Sequence, residues 1–333
     1  MKKFLAMAIA VAAVLTGCVK NETFAPANEI QFKNFALSNK ALVADGTFDT
    51  NLTFGVEMYK AADKSLWDKG EVVYKTSYWG FDDAKFWPTE AGAPVELNFF
   101  AYYPYGATVA CDTDKGISIT GADLGTTIGS QTDYLLAPVA GPYKVQAAPV
   151  GVAFQHISSL LLFSAQDITL IDDLKEKVTI NSITVRGVST SGDYANTAAG
   201  AVAGTWTPDT AGNLPTITFD PAAAVELAGA ALTTTAKNPV LVVPTALTEG
   251  TQVVDIVYSV AAYTYGGQNF DAKPNQTTTV NLKAGSIDKW EQGKKYVYTI
   301  KFNLTEELEI KFAPTVTDWT AGGSADLTVD VQL

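Results

Sequence analysis

The chain has 333 residues, enough for two domains of ordinary size, and its 47% hydrophobic and 17% charged residues describe a folded protein. Its 23 Lys+Arg against 35 Asp+Glu give a net charge of −12, with Arg186 the only arginine, a balance that cannot neutralise phosphates and excludes nucleic acid as a partner. One histidine, His156, and two cysteines, Cys18 and Cys111, exclude multi-histidine metal sites, CxxC sites and a disulfide framework.

The first residues read as an export address. Lys2 and Lys3 precede an apolar run over residues 4–14. That run is too short to span a bilayer, which takes about 20 residues, but it suits a signal peptide over 1–17. It ends in Leu15-Thr16-Gly17-Cys18, which resembles a bacterial lipobox. Cys18 is therefore the expected lipidation site, and the outer membrane the expected first location. Cys111 is left as an unpaired thiol, expected to behave as a small hydrophobe.

Residues 18–40 read as a propeptide with a removable strand. Residues 29–37 read as an edge strand, with Ile30 and Phe32 on one face. The Lys40-Ala41 bond follows in a polar stretch suited to proteolysis. Cutting there would detach the strand and open an apolar groove. The remainder would lose five lysines and two glutamates, taking its charge to −15.

Beyond residue 41 the dominant period is two. Strands are expected through 72–79, 95–103, 152–156, 178–186, 239–243, 253–263, 277–282 and 296–304, separated by Gly, Pro, Asn and Asp turns. Helical patterns are few: 171–177, and an Ala-rich 221–231. Many strands with few short helices predict an all-β protein built of sandwiches. The turn-rich stretch 141–149 suggests domains at 41–147 and 148–333, with a second break weighed at 172–177.

No catalytic or metal site is visible in the pattern, and neither an enzyme nor a cofactor is expected. There is no P-loop, GxGxxG or GxSxG. Asp112-Thr113-Asp114-Lys115-Gly116 starts like a calcium loop, but Lys115 and Gly116 stand where a carboxylate and the turn residue belong, so a β-turn is expected. His156 reads as a core histidine bonded to a carbonyl. The aromatics Trp67, Tyr74, Tyr78, Trp79, Phe81, Phe86 and Trp87 read mainly as core, with stacking on sugars the alternative.

The last nine residues alternate most cleanly. Ala325, Leu327, Val329, Val331 and Leu333 share one face, after Gly322-Gly323-Ser324. They either close their own sandwich or add as a donor strand to a neighbour's groove.

Several short motifs then fall in order. Phe86-Trp87-Pro88 with 97–104 (Leu-Asn-Phe-Phe-Ala-Tyr-Tyr-Pro), 133–137 (Asp-Tyr-Leu-Leu-Ala), 152–160 around His156, 290–300 from Trp290 to Ile300, and Val316-Thr317-Asp318-Trp319 together resemble the Bacteroidales fimbrillins, subunits of type V pili. The resemblance implies two tandem transthyretin-like Greek-key β-sandwich domains. It implies export as a lipoprotein, processing after Lys40 and polymerisation by donor-strand exchange into an extracellular fimbrium. The partners implied are other fimbrial subunits, head to tail, the outer membrane through lipid before processing, and a host or bacterial receptor. The rival expectation is a surface lipoprotein that binds glycans and never polymerises.

Overall fold

The computed structural model describes residues 28–33, 48–127, 130–137, 139–145, 148–167, 169–174, 177–209, 217–219, 225–226, 240–304, 308–318 and 327–328. Among these the regular structure is strand, apart from a three-residue 3-10 turn at Asp172–Leu174. That turn is the described helical part of 171–177. The Ala-rich stretch 221–231 differs from its local pattern: Val225–Glu226 is a strand, paired with Thr179 and Ile180. Pairing to the strand Val178–Arg186 outweighs alanine's modest helix preference.

The N-terminal sheet runs in the order Val150–Gly151, Gln31–Lys33, Tyr78–Phe81, Leu66–Lys75, Phe54–Lys60, Leu97–Tyr103, Leu135–Leu136, Gln155–His156, with Ala140–Tyr143 also on Leu97–Tyr103. Laid flat, eight strands about 4.8 Å apart would span roughly 34 Å. Its two end strands are joined by Val152, Ala153 and Phe154 alone, which reach at most about 14 Å. The sheet therefore curls back on itself around Phe32, Phe48, Phe54, Phe81, Phe99 and Phe154. The alternation through 72–79 conceals a hairpin. Thr76 takes φ 53°, and Tyr74 pairs back onto Trp79. The two-residue turn inverts the parity: Val72 and Tyr74 share a face with Phe81 and Trp79, which an unbroken alternation would put on the opposite side.

The chain then builds a four-stranded sheet in the order Gly204–Pro208, Ser191–Asn196, Gly116–Asp123, Val109–Asp112. The C-terminal part is a sandwich. One sheet runs Val240–Val242, Ser159–Asp167, Lys294–Leu304, Leu308–Asp318, Leu327–Thr328, and the other Ile217–Phe219, Val178–Arg186, Val253–Val260, Lys273–Asn281. Alternate residues of one long strand, Tyr296, Tyr298, Ile300, Phe302 and Leu304, fill the space between the two sheets.

Strand pairing crosses the boundary expected at 147/148. Val150–Gly151 and Gln155–His156 belong to the N-terminal sheet, and Ser191–Asn196 pairs with Gly116–Asp123. Ala140–Tyr143 is a paired strand, so its Gly and Pro mark a bend inside a sheet rather than a linker. A third core lies between the other two and draws on both. Phe100 and Tyr102 enter it from the strand whose Phe99 and Ala101 face the N-terminal core. Leu160 and Leu241 enter it beside Leu161 and Val240, which face the C-terminal core.

Candidate functional site

Of the residues singled out by the sequence, Ile30, Phe32 and Leu327 lie within the described structure. Cys18, Lys40, Ala41, Ala325, Val329, Val331 and Leu333 lie outside the described residues.

Residues 28–33 form the first strand and its approach. Ile30 N–H donates to the Lys85 carbonyl at 2.9 Å, and Trp87 N–H donates to the Asn28 carbonyl at 3.0 Å. Gln31 then pairs with Gly80 and Phe32 with Trp79, antiparallel, while Phe32 and Lys33 pair with Val150 and Gly151, parallel. The expectation of an edge strand is corrected here: the strand has a neighbour on each side. The reason is the curl of the sheet, which brings Val150 alongside it. Val152 N–H donates to the Lys33 carbonyl at 2.9 Å and extends the parallel pairing.

The inward face is apolar and full. Ile30 is completely buried, and the Phe32 ring meets Phe54, Phe81 and Phe99 edge-on at centroid distances of 6.0, 5.4 and 6.0 Å. Such edge-to-face pairs add to simple burial. Phe48, the next described residue after Lys33, stacks on Phe154 at 5.6 Å and packs against Phe54.

One polar residue shares the strand's burial. The Glu29 side chain is 1% exposed, accepts a hydrogen bond from the Tyr78 hydroxyl at 3.1 Å and faces the Lys75 ammonium at 3.6 Å. Burial, then the Glu29 carboxylate, push the Tyr78 phenol up from its ordinary pKa. Glu29 and its partners escaped the sequence reading. The signal was present: an acid directly before the first inward aliphatic of a strand otherwise read for its apolar face.

At the other end, Leu327 pairs with Val316 and Thr328 with Thr315, along the outer side of Leu308–Asp318. The other candidates resolve plainly. His156 is buried, and its Nδ1 meets Asp133 Oδ2 at 2.7 Å, a carboxylate partner that the sequence reading did not name. Ser158 donates to the same carboxylate at 3.3 Å, so the cluster is a buried polar tie rather than a nucleophile aligned on a base. Asp112 folds back to accept from the Asp114 and Lys115 amides, the β-turn expected there. Burial raises the half-buried Cys111 thiol pKa far above its ordinary value, which keeps it protonated. The aromatic set divides: Trp79, Phe81 and Trp87 are core, whereas Trp67, Tyr74 and Phe86 are exposed. Among the described residues no group of His, Cys, Asp and Glu could hold a metal ion.

The motif strands thus surround one seat: Trp87 hydrogen-bonds Asn28 and packs on Phe99, and Val152 closes the far side. A family model described as fimbrillin-like matches residues 40–319. The chain belongs to the fimbrillin-like family. It is accordingly a subunit of the fimbrial and adhesion class, not an enzyme. Solved structures agree in fold. A candidate cell adhesion protein from Bacteroides uniformis ATCC 8492 is 17% identical with a TM-score of 0.56, over 88% of this chain and 98% of that one. A fimbrial protein from Bacteroides vulgatus ATCC 8482 is 13% identical with a TM-score of 0.57, over 88% and 99%. No curated protein matches the fimbrillin-like chain.

Proposed function

We propose that this protein is a structural subunit of a cell-surface fimbria, exported as an outer-membrane lipoprotein through Cys18, cut between Lys40 and Ala41, and joined to other subunits by strand exchange at the seat of residues 28–33. The single observation that carries this reading is the first strand itself. It is built into an aromatic core, yet the basic bond at Lys40 stands between it and Phe48, where the described body resumes. A cut there leaves Phe54, Phe81 and Phe99 lining a strand-shaped groove that must be refilled.

Lys33 is the wrong place for that cut. Its carbonyl is hydrogen-bonded and its backbone paired, whereas proteases need an extended, unpaired segment. The alternating strand over residues 325–333 has the apolar face to refill the groove, and main-chain pairing would hold it there. The released subunit, at −15, has a surface suited to life outside the cell. Adhesion to a host or bacterial receptor is part of the same proposal.

N-terminal sequencing of the surface-exposed protein tests the reading. The expected start is Ala41, with Lys40→Ala holding the chain as an uncut, unassembled precursor. Filaments built from chains that still begin at Cys18 would overturn it.

A further inference from the structure

An open cleft of about 490 Å³ lies where the four-stranded sheet meets the C-terminal sandwich, a size typical of small-ligand sites. Its walls are the strand segment 203–206, the loop 244–246 and the turn 289–292. That turn carries Trp290-Glu291-Gln292, part of a motif that takes no part in the first-strand seat.

The walls are fixed from behind. Trp206 and Trp290 are buried, and their indole N–H groups donate to the Ile157 carbonyl at 2.6 Å and the Tyr298 hydroxyl at 2.9 Å. Gln292 is held at both ends of its amide. Its Nε2 donates to the Val202 carbonyl at 2.9 Å, and its Oε1 accepts from the Gly204 amide at 3.3 Å. Gln292 thus stands against the outer edge of Gly204–Pro208, which places the cleft along that edge.

The rest of the edge sets the ligand. Thr197 N–H bonds the Ala203 carbonyl and Asp209 N–H bonds the Ser191 carbonyl, a register that turns the main chain of Gly204, Trp206 and Pro208 away from Ser191–Asn196. Gln292 takes the Gly204 N–H, and Pro208 has none, so an added peptide strand could pair at Trp206 alone. The Trp206 N–H and C=O have no protein partner among the described residues. A donor beside an acceptor matches hydroxyls, which both donate and accept. The wall at 289–292 repeats the combination: the Lys289 ammonium and Glu291 carboxylate, each about half exposed, pair at 2.7 Å and neutralise each other. A ring with hydroxyls on its rim and C–H groups on its face suits these polar groups and the indole walls together.

We propose that this cleft binds a neutral sugar ring of a surface glycan, its hydroxyls on the Trp206 main chain and on the Lys289–Glu291 pair. The proposal rests on the adhesion reading above and adds a ligand class and a site.

The test uses the full chain, titrated with free hexoses, N-acetylhexosamines, glucuronate and a short alanine peptide at millimolar concentration, with saturation-transfer NMR as readout. A neutral sugar should bind. Ala246→Trp, at an exposed position on the cleft wall, should abolish binding by filling the space. If that variant does not fold, Thr205→Trp on the facing strand serves the same purpose. Lys289→Met should weaken binding about tenfold, the loss of a hydrogen bond from a charged donor. Binding that persists unchanged in the filled variant overturns the site. Binding of glucuronate alone makes it an anion site, and binding of the peptide alone a strand-adding edge; either overturns the proposal, as does failure of the whole panel to bind. SDS-resistant ladders on cells should be unchanged in Ala246→Trp, and their loss would assign the cleft to assembly instead. Sugar binding by a chain that forms no fimbriae would sink the assembly reading and leave the cleft standing.

Discussion

Phe32 is the largest single filler of the seat, surrounded by three phenylalanine rings. Phe32→Ala should destabilise the unprocessed chain by about 3–5 kcal/mol, read by denaturant unfolding, because the site is walled by rigid rings that cannot collapse. The same change should have no effect on the cut form, which no longer contains residue 32. Asp133 accepts from Ser158 and meets His156 in a buried cluster. Asp133→Ala should cost about 1–3 kcal/mol by leaving those groups without their acceptor, seen as a lower melting temperature with assembly intact. At this scale Ile30 and Phe32 were legible because alternation marks apolar faces. Glu29 was not, because alternation assigns an acid to solvent and cannot foresee that Tyr78 and Lys75 cover it.

The first strand is protected as an element by pairing on both sides. Limited trypsin digestion of the precursor should cut at Lys40 well before Lys33, as mass spectrometry of the fragments would record. Early cleavage at Lys33 would mean that the pairing with Gly151 is not held in solution. Several of the described strands could be placed from their β-branched and aromatic runs, and Val178–Arg186 was bounded from residues alone. The strands Val225–Glu226 and Ala140–Tyr143 were not, since each depends on a partner distant in sequence. A run of alanine or a Gly-Pro step looks the same whether or not such a partner exists.

For the molecule as a whole, cutting and refilling predict a transient. Loss of residues 28–33 uncovers Phe54, Phe81 and Phe99 together, an apolar groove of the kind that binds hydrophobic dyes. Dye fluorescence should rise as the precursor is cut and fall again as ladders form. A flat trace would mean that the groove never stands open, and that the donor enters before the resident strand leaves. The all-β character of the molecule was legible in its alternation. The crossing pairs were not, because a four-stranded sheet drawn from 109–123 and 191–208 joins segments with an entire sheet's worth of chain between them.

Leu97–Tyr103 contributes Phe99 and Ala101 to one core and Phe100 and Tyr102 to the next, and Leu160 with Leu161 repeats the arrangement further along. Apolar packing is thus continuous from the first-strand seat to the C-terminal sandwich, with shared strands as its walls. Close-packed interiors have low compressibility and transmit strain. Among the described residues, a load applied at one end of the subunit is therefore passed on through shared strands. If subunits join by the proposed strand exchange, bending of the fimbria would be concentrated at the joints between bodies. The compliance of the fibre would then be set at those joints, and changes there would tune it without touching either core.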